Sequence, residues 1–131
     1  MSQAEIPIKI VLFGIGMIKG KIIRHISPLS ADAIIDKLPL VLRGRFSFGS
    51  KKYWTLPGIE IYRGRSERAN KEGKKGDIVY NPKSDELLFL LEDQTLPNKV
   101  NKIGVVESNL ELILNARNGL NTKIKRDFTR A

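Results

Sequence analysis

The chain reads as one mostly-β domain spanning residues 1–131, a closed barrel of about eight strands with two short helices over its open ends. Three observations lead there. Leu40, Leu42, Gly44, Phe46 and Phe48 alternate with Val41, Arg43, Arg45 and Ser47, the period of two that puts one strand face in the core and the other in water. Short β-branched or apolar runs recur along the chain, separated by Gly, Pro, Asn and Asp clusters. Only two segments carry helical spacing, and both are too short to stand alone.

The elements follow in order. Ile6 to Phe13 is apolar and β-branched, and Pro7 near its start suits a strand entry or an edge position. Gly14-Ile15-Gly16 turns the chain into Met17 to Arg24, where Lys19 and Lys21 alternate with Ile18, Gly20 and Ile22, so the pair forms a hairpin with one wet face. Ser30 caps a helix from Ala31 to Leu38, with Asp32 in its first turn and Pro39 as its stop. The alternating strand over 40–48 commits Leu42, Phe46 and Phe48 to the core and both arginines to the opposite side. Gly49 to Lys52 turns the chain into Tyr53 to Leu56, and Pro57-Gly58 marks a turn or bulge before Ile59 to Tyr62. Arg63 to Lys75 is a basic, glycine-containing connection, expected to be flexible.

Ile78 to Tyr80 and Glu86 to Glu92 are strands joined by the turn cluster at residues 81–85, and Lys102 to Val106 is another. Ser108 caps a second helix, Asn109 to Arg117, whose Leu110, Ile113 and Leu114 share a face, and Asn118-Gly119 ends it. Leu120 to Phe128 returns as a last strand. Closure of these strands into a barrel removes exposed edges; an open α+β sheet is the alternative arrangement.

Composition narrows the function classes. With no cysteine and one histidine, His25, the chain has no disulfide, no thiolate nucleophile and no multi-His metal site. No Walker, G-x-S-x-G, dinucleotide-binding or EF-hand pattern occurs, and no cofactor is expected. The acidic carboxylates at 85, 86, 92 and 93 bracket a strand of roughly 20 Å, too far apart for paired hydrolytic work. The start of the chain lacks a basic n-region, and its apolar run is far shorter than a membrane span, so a cytoplasmic protein without membrane contact is expected. A net charge of +9 admits a nucleic-acid partner through the Arg63 to Lys75 connection; the alternative is a well-solvated surface rich in Lys, Arg and Glu, as in thermophiles.

Leu87 to Leu91 is apolar at every position, so both faces need cover. On the outer face that cover is the protein's own loop, a second copy in a homodimer, or a ligand. Arg43 and Arg45, with their rigid forks of donors, could clamp a carbonyl, carboxylate or phosphate at its edge; the alternative is a solvated outer face. Trp54 with Tyr53, together with Tyr80 and Phe89, is expected to line such a groove; the alternative for Trp54 is a partly buried packing residue.

Gly76-Asp77-Ile78-Val79-Tyr80-Asn81-Pro82, the strand Leu87-Leu88-Phe89-Leu90-Leu91, and Asn101-Lys102-Ile103-Gly104-Val105-Val106 together resemble the small prokaryotic cyclophilin-like domains of uncharacterised function. The hairpin at Gly16 to Arg24 and the helix ending at Leu38-Pro39 extend the resemblance over most of the chain. It implies a cyclophilin-like closed barrel capped by two helices. It also raises weak peptidyl-prolyl isomerisation, with an outer arginine holding the prolyl carbonyl and an aromatic pocket holding the ring. The chain departs from the pattern at Lys83-Ser84-Asp85 and at Glu92-Asp93, and it lacks the Phe-His-Arg and Gly-Gly-Asp segments of cyclophilins. The expectation is therefore a non-enzymatic binding domain for a peptide or small acidic ligand, with prolyl isomerisation and nucleic-acid binding as alternatives.

Overall fold

The computed structural model describes residues 4–47 and 50–129, which places Phe48 outside the described residues. The strands are β1 (Glu5–Leu12), β2 (Gly16–Ile23), β3 (Leu40–Arg43), β4 (Arg45–Phe46), β5 (Tyr53–Pro57), β6 (Asn70–Gly73), β7 (Asp77–Asn81), β8 (Glu86–Leu90), β9 (Gln94–Ser108) and β10 (Asn121–Arg126). Helix α1 spans Pro28–Lys37, and a single 3-10 turn spans Leu110–Asn115. Among the described residues, no helix is long and apolar enough to cross a membrane.

The expected closed barrel does not form. All the strand pairings are antiparallel and make one open sheet in the order β3-β10-β1-β2-β9-β7-β8-β5-β4, with β6 paired to β9 off that path. The two end strands, β3 and β4, are successive pieces of one run of chain with only Gly44 between them, too short a connection for them to turn back and pair side by side. The Gly44 amide donates to the Leu120 carbonyl and its carbonyl accepts from the Gly119 amide, at 2.9 and 2.7 Å. The Phe46 amide then donates to the Asn118 side chain at 2.9 Å. The chain thus leaves β10 for β5 over the 118–120 turn, and β3 and β4 are joined covalently without a ladder between them.

Strand phase explains the packing. Ile6, Ile8, Ile10 and Leu12 alternate inward on β1, and Ile18 and Ile22 do so on β2; with Trp54, Leu56, Ile78, Tyr80, Leu87, Phe89 and Ile34 they build the main core. The other faces of β7 and β8 build a second cluster from Val79, Leu88 and Leu90 with Leu96 and Val100. The outer face of the all-apolar strand is therefore covered by the protein's own Leu96–Val100 stretch, the first half of the long, irregular β9.

The helices differ from expectation at their starts. Helix α1 begins at Pro28 with Ser27 at the N-cap, one turn before Ser30, because proline suits the first helical position where its missing N–H costs nothing. Ser30 lies inside the helix, where its hydroxyl accepts from Asn101 at 2.9 Å. In place of the second helix there is only the 3-10 turn, preceded by Asn109 at φ +64°, a conformation asparagine tolerates. Part of the connection expected to be flexible is strand β6, laddered to β9.

Candidate functional site

A groove of about 490 Å³ lies on the outer face of β4, β5 and β8. Its floor is one cross-strand row set by register: Arg45 opposite Thr55, and Thr55 opposite Leu88. Tyr53 and Leu96 extend the apolar part, and Pro97 to Val100 form one wall. The polar groups are Arg45, Glu86 and the amides of Asn81, Asn98 and Asn118. Arg45 Nη2 stands 3.5 Å from Glu86 Oε2, and the arginine side chain keeps 58% of its surface exposed. Glu86 keeps 17% of its side chain exposed, so the open end of the pair is the guanidinium, which has further donors for another anion.

Of the residues the sequence pointed to, Arg45 and Tyr53 reach this groove. Arg43 is exposed on β3 opposite Asn121 and lies outside the groove lining. Trp54, Tyr80 and Phe89 are fully buried in the main core, on the far face of the sheet from Thr55 and Leu88. Their phase is opposite to that of a groove residue: Trp54 pairs with Phe46 and Phe89, whereas Arg45, Thr55 and Leu88 share the outer side. Trp54 instead ties the core together. Its indole N–H donates to Thr122 Oγ1 at 3.2 Å, and its ring meets Phe46 edge-on at 4.8 Å.

Thr55, Glu86 and Leu88 were not singled out as ligand contacts. The signal for them was the same alternation, read one residue out of phase. Asp85 was also missed. It sits at φ +55° in the turn before β8, and its carboxylate accepts from the amides of Glu60, Ile61 and Tyr62 at 2.7, 3.3 and 2.9 Å and from the Tyr80 hydroxyl at 2.6 Å. Partial burial pushes the Asp85 carboxyl upward, but the four hydrogen bonds outweigh it and hold the group below its ordinary value. Burial and the bond to Asp85 together push the Tyr80 hydroxyl up to about 12. This cluster fixes the 59–62 loop, in which Glu60 and Tyr62 also have positive φ.

A second polar cavity of about 410 Å³ separates the start of α1 from the 64–68 loop. Here Asn101 donates to Ser30 and to the Gly64 carbonyl and accepts from the Ser66 amide, all at 2.9 Å, so its polar groups already satisfy one another. His25 lies at its rim. Among the described residues no group of three His, Asp or Glu side chains is placed to hold a metal ion.

No family model and no curated protein matches the chain. Several solved structures share its fold, among them the following two. The solution structure of the hypothetical protein AF2241 from Archaeoglobus fulgidus has a TM-score of 0.76 at 16% identity, over 96% of this chain and 98% of that one. The structure of McbB in complex with tryptophan has a TM-score of 0.76 at 10% identity, over 95% of this chain and 46% of McbB. At these identities the likeness is one of fold alone, and neither carries a cyclophilin-like designation.

Proposed function

We propose that this protein is a binding domain whose outer-sheet groove takes a short peptide or small ligand bearing a carboxylate. The observation that carries the reading is the Arg45–Thr55–Leu88 row walled by Pro97 to Val100: a floor grading from a guanidinium to an apolar side chain, with a few convergent polar groups and a volume usual for ligand sites. The ligand carboxylate displaces Glu86 from the Arg45 guanidinium, whose planar fork matches it. Glu86, left free, faces an amine or amide on the ligand. An apolar side chain lies on Leu88 and Leu96, and the asparagine amides meet the ligand's peptide groups.

Backbone NMR titration tests this, with tryptophan (the ligand named with McbB), acidic dipeptides and proline-containing peptides as probes. Saturable shifts at Arg45, Thr55, Leu88 and Val100 are expected, with affinity falling about ten-fold in Arg45→Ala, the order of one charge-assisted hydrogen bond. Shifts confined to another surface, or none with any probe at millimolar concentration, overturn the reading. Accelerated isomerisation of the proline peptides that is lost in Arg45→Ala would replace it with the isomerase alternative.

A further inference from the structure

The opposite half of the sheet carries a different surface. On the solvent side of β2, β1 and β10, Lys19 stands directly opposite Lys9, and Lys9 directly opposite Lys125. Lys123 lies two residues from Lys125 on the same face, opposite Val11. Facing side chains in an antiparallel pair are about 5 Å apart at Cβ, and like charges so placed destabilise the pairing. Three in one row is a cost the fold accepts across three consecutive strands.

The counter-charges nearby are few. Lys9 is 3.6 Å from Asp127, and Lys21 is 3.1 Å from Glu5. Among the described residues Lys19, Lys123 and Lys125 form no ion pair within 4 Å. The row runs into a cavity of about 390 Å³ bounded by Lys9, Lys123, Lys125, Leu38, Pro39 and Phe128. Phe128 is 85% exposed, the largest exposure among the big apolar side chains described.

We propose that this face binds single-stranded nucleic acid, with successive phosphates on the lysine row and a base stacked on Phe128 in the Leu38–Pro39 cavity. The lysines explain a polyanion, and the exposed ring beside them explains why its monomers are aromatic. Cationic tracks flanked by stacking rings hold single strands without reading sequence. Lys123 and Lys125 are about 7 Å apart along β10 and the cross-strand steps are about 5 Å, spacings that long lysine side chains can match to successive phosphates. The site is distinct from both the Arg45 groove and the 63–75 connection, and it stands whether or not the groove binds a ligand.

Fluorescence anisotropy with a labelled mixed-sequence single-stranded oligonucleotide, as DNA and as RNA, tests it across a salt series. Binding at low salt is expected, weakening steeply as salt rises. The triple variant Lys19→Ser, Lys123→Ser, Lys125→Ser should bind about ten-fold or more weakly and lower the log–log salt slope by about 2, three phosphates at roughly 0.7 each. Phe128→Ala should cost about five- to one-hundred-fold with the salt slope unchanged. Arg65→Ser, Arg68→Ser, Lys71→Ser in the basic connection should bind as wild type, and circular dichroism should show every variant folded. Failure of wild type to bind at low salt overturns the proposal. So does loss of binding in the connection variant with retention in the lysine variant, duplex bound as tightly as single strand, or binding only to phosphatidylserine vesicles.

Discussion

Asp85 is the residue whose loss should unfasten the loop beside the groove. Its carboxylate accepts from three successive backbone amides and from the hydroxyl of fully buried Tyr80. In Asp85→Ala the amides of Glu60 and Tyr62, which are exposed, find water, and the 3.3 Å bond from Ile61 contributes least. The Tyr80 hydroxyl loses its short charge-assisted acceptor, a loss of about 1.5–3 kcal/mol. Alanine at φ +55° adds about 1 kcal/mol of left-handed strain. The total is about 3–4 kcal/mol. Asp85→Asn keeps a side chain that tolerates this conformation and one acceptor oxygen, so it should cost about half as much.

Urea unfolding of wild type, both Asp85 variants, Tyr80→Phe and the double variant reads these values, and the double-mutant cycle should give a Tyr80–Asp85 coupling of about 1.5 kcal/mol. pH adds a separate check. Because the folded carboxyl sits below its ordinary 3.8, its stabilisation is present above that value and is lost as pH falls through the folded pKa. Asp85→Asn should flatten the acid limb of stability against pH. Tyr80 behaves in the opposite sense: its pKa rises from 10.0 to about 12, so its contribution is intact below 10 and lost as pH climbs through about 12. An Asp85→Ala cost under about 1 kcal/mol, or a coupling indistinguishable from zero, refutes the claim that this carboxylate anchors the loop.

Three further outcomes follow from the packing. Gly44→Ala should destabilise by about 2–3 kcal/mol in urea unfolding, because an added Cβ would lie 2.1 Å from the Trp54 ring where β3 passes into β4. Gly104→Ala should loosen the β2–β9 pairing, seen as faster amide exchange across Lys21 and Ile22, because the new Cβ would meet the Lys21 carbonyl oxygen at 2.2 Å. Lys125→Thr should raise the thermal midpoint at low salt and lose that advantage at high salt, since it relieves a like-charge pair worth about 0.2–1 kcal/mol.

Period-two patterning carried most of the strand assignment because it is a local property. The β1–β2 hairpin, the strands at 77–81 and 86–90, and the inward phase of Leu42 with the outward phase of both arginines all come from neighbours in sequence. The same pattern loses its meaning where both faces are buried. Leu87 and Phe89 enter one cluster, Leu88 and Leu90 the other, and nothing within the segment says which face meets which. That ambiguity sent Trp54, Tyr80 and Phe89 to the groove, whereas they pack on the opposite side. Which strands end the sheet depends on long-range pairing. Gly44 satisfies its backbone with Gly119 and Leu120, some 75 residues away, and no local periodicity encodes that contact. Asp85 is the instructive case in between. Its place in a turn was legible, but its role required knowing that the 59–62 loop folds back over that turn. The structure shows what that place costs: Asp85 adopts a left-handed conformation, at φ +55°. Only the four donors gathered around its carboxylate offset that cost.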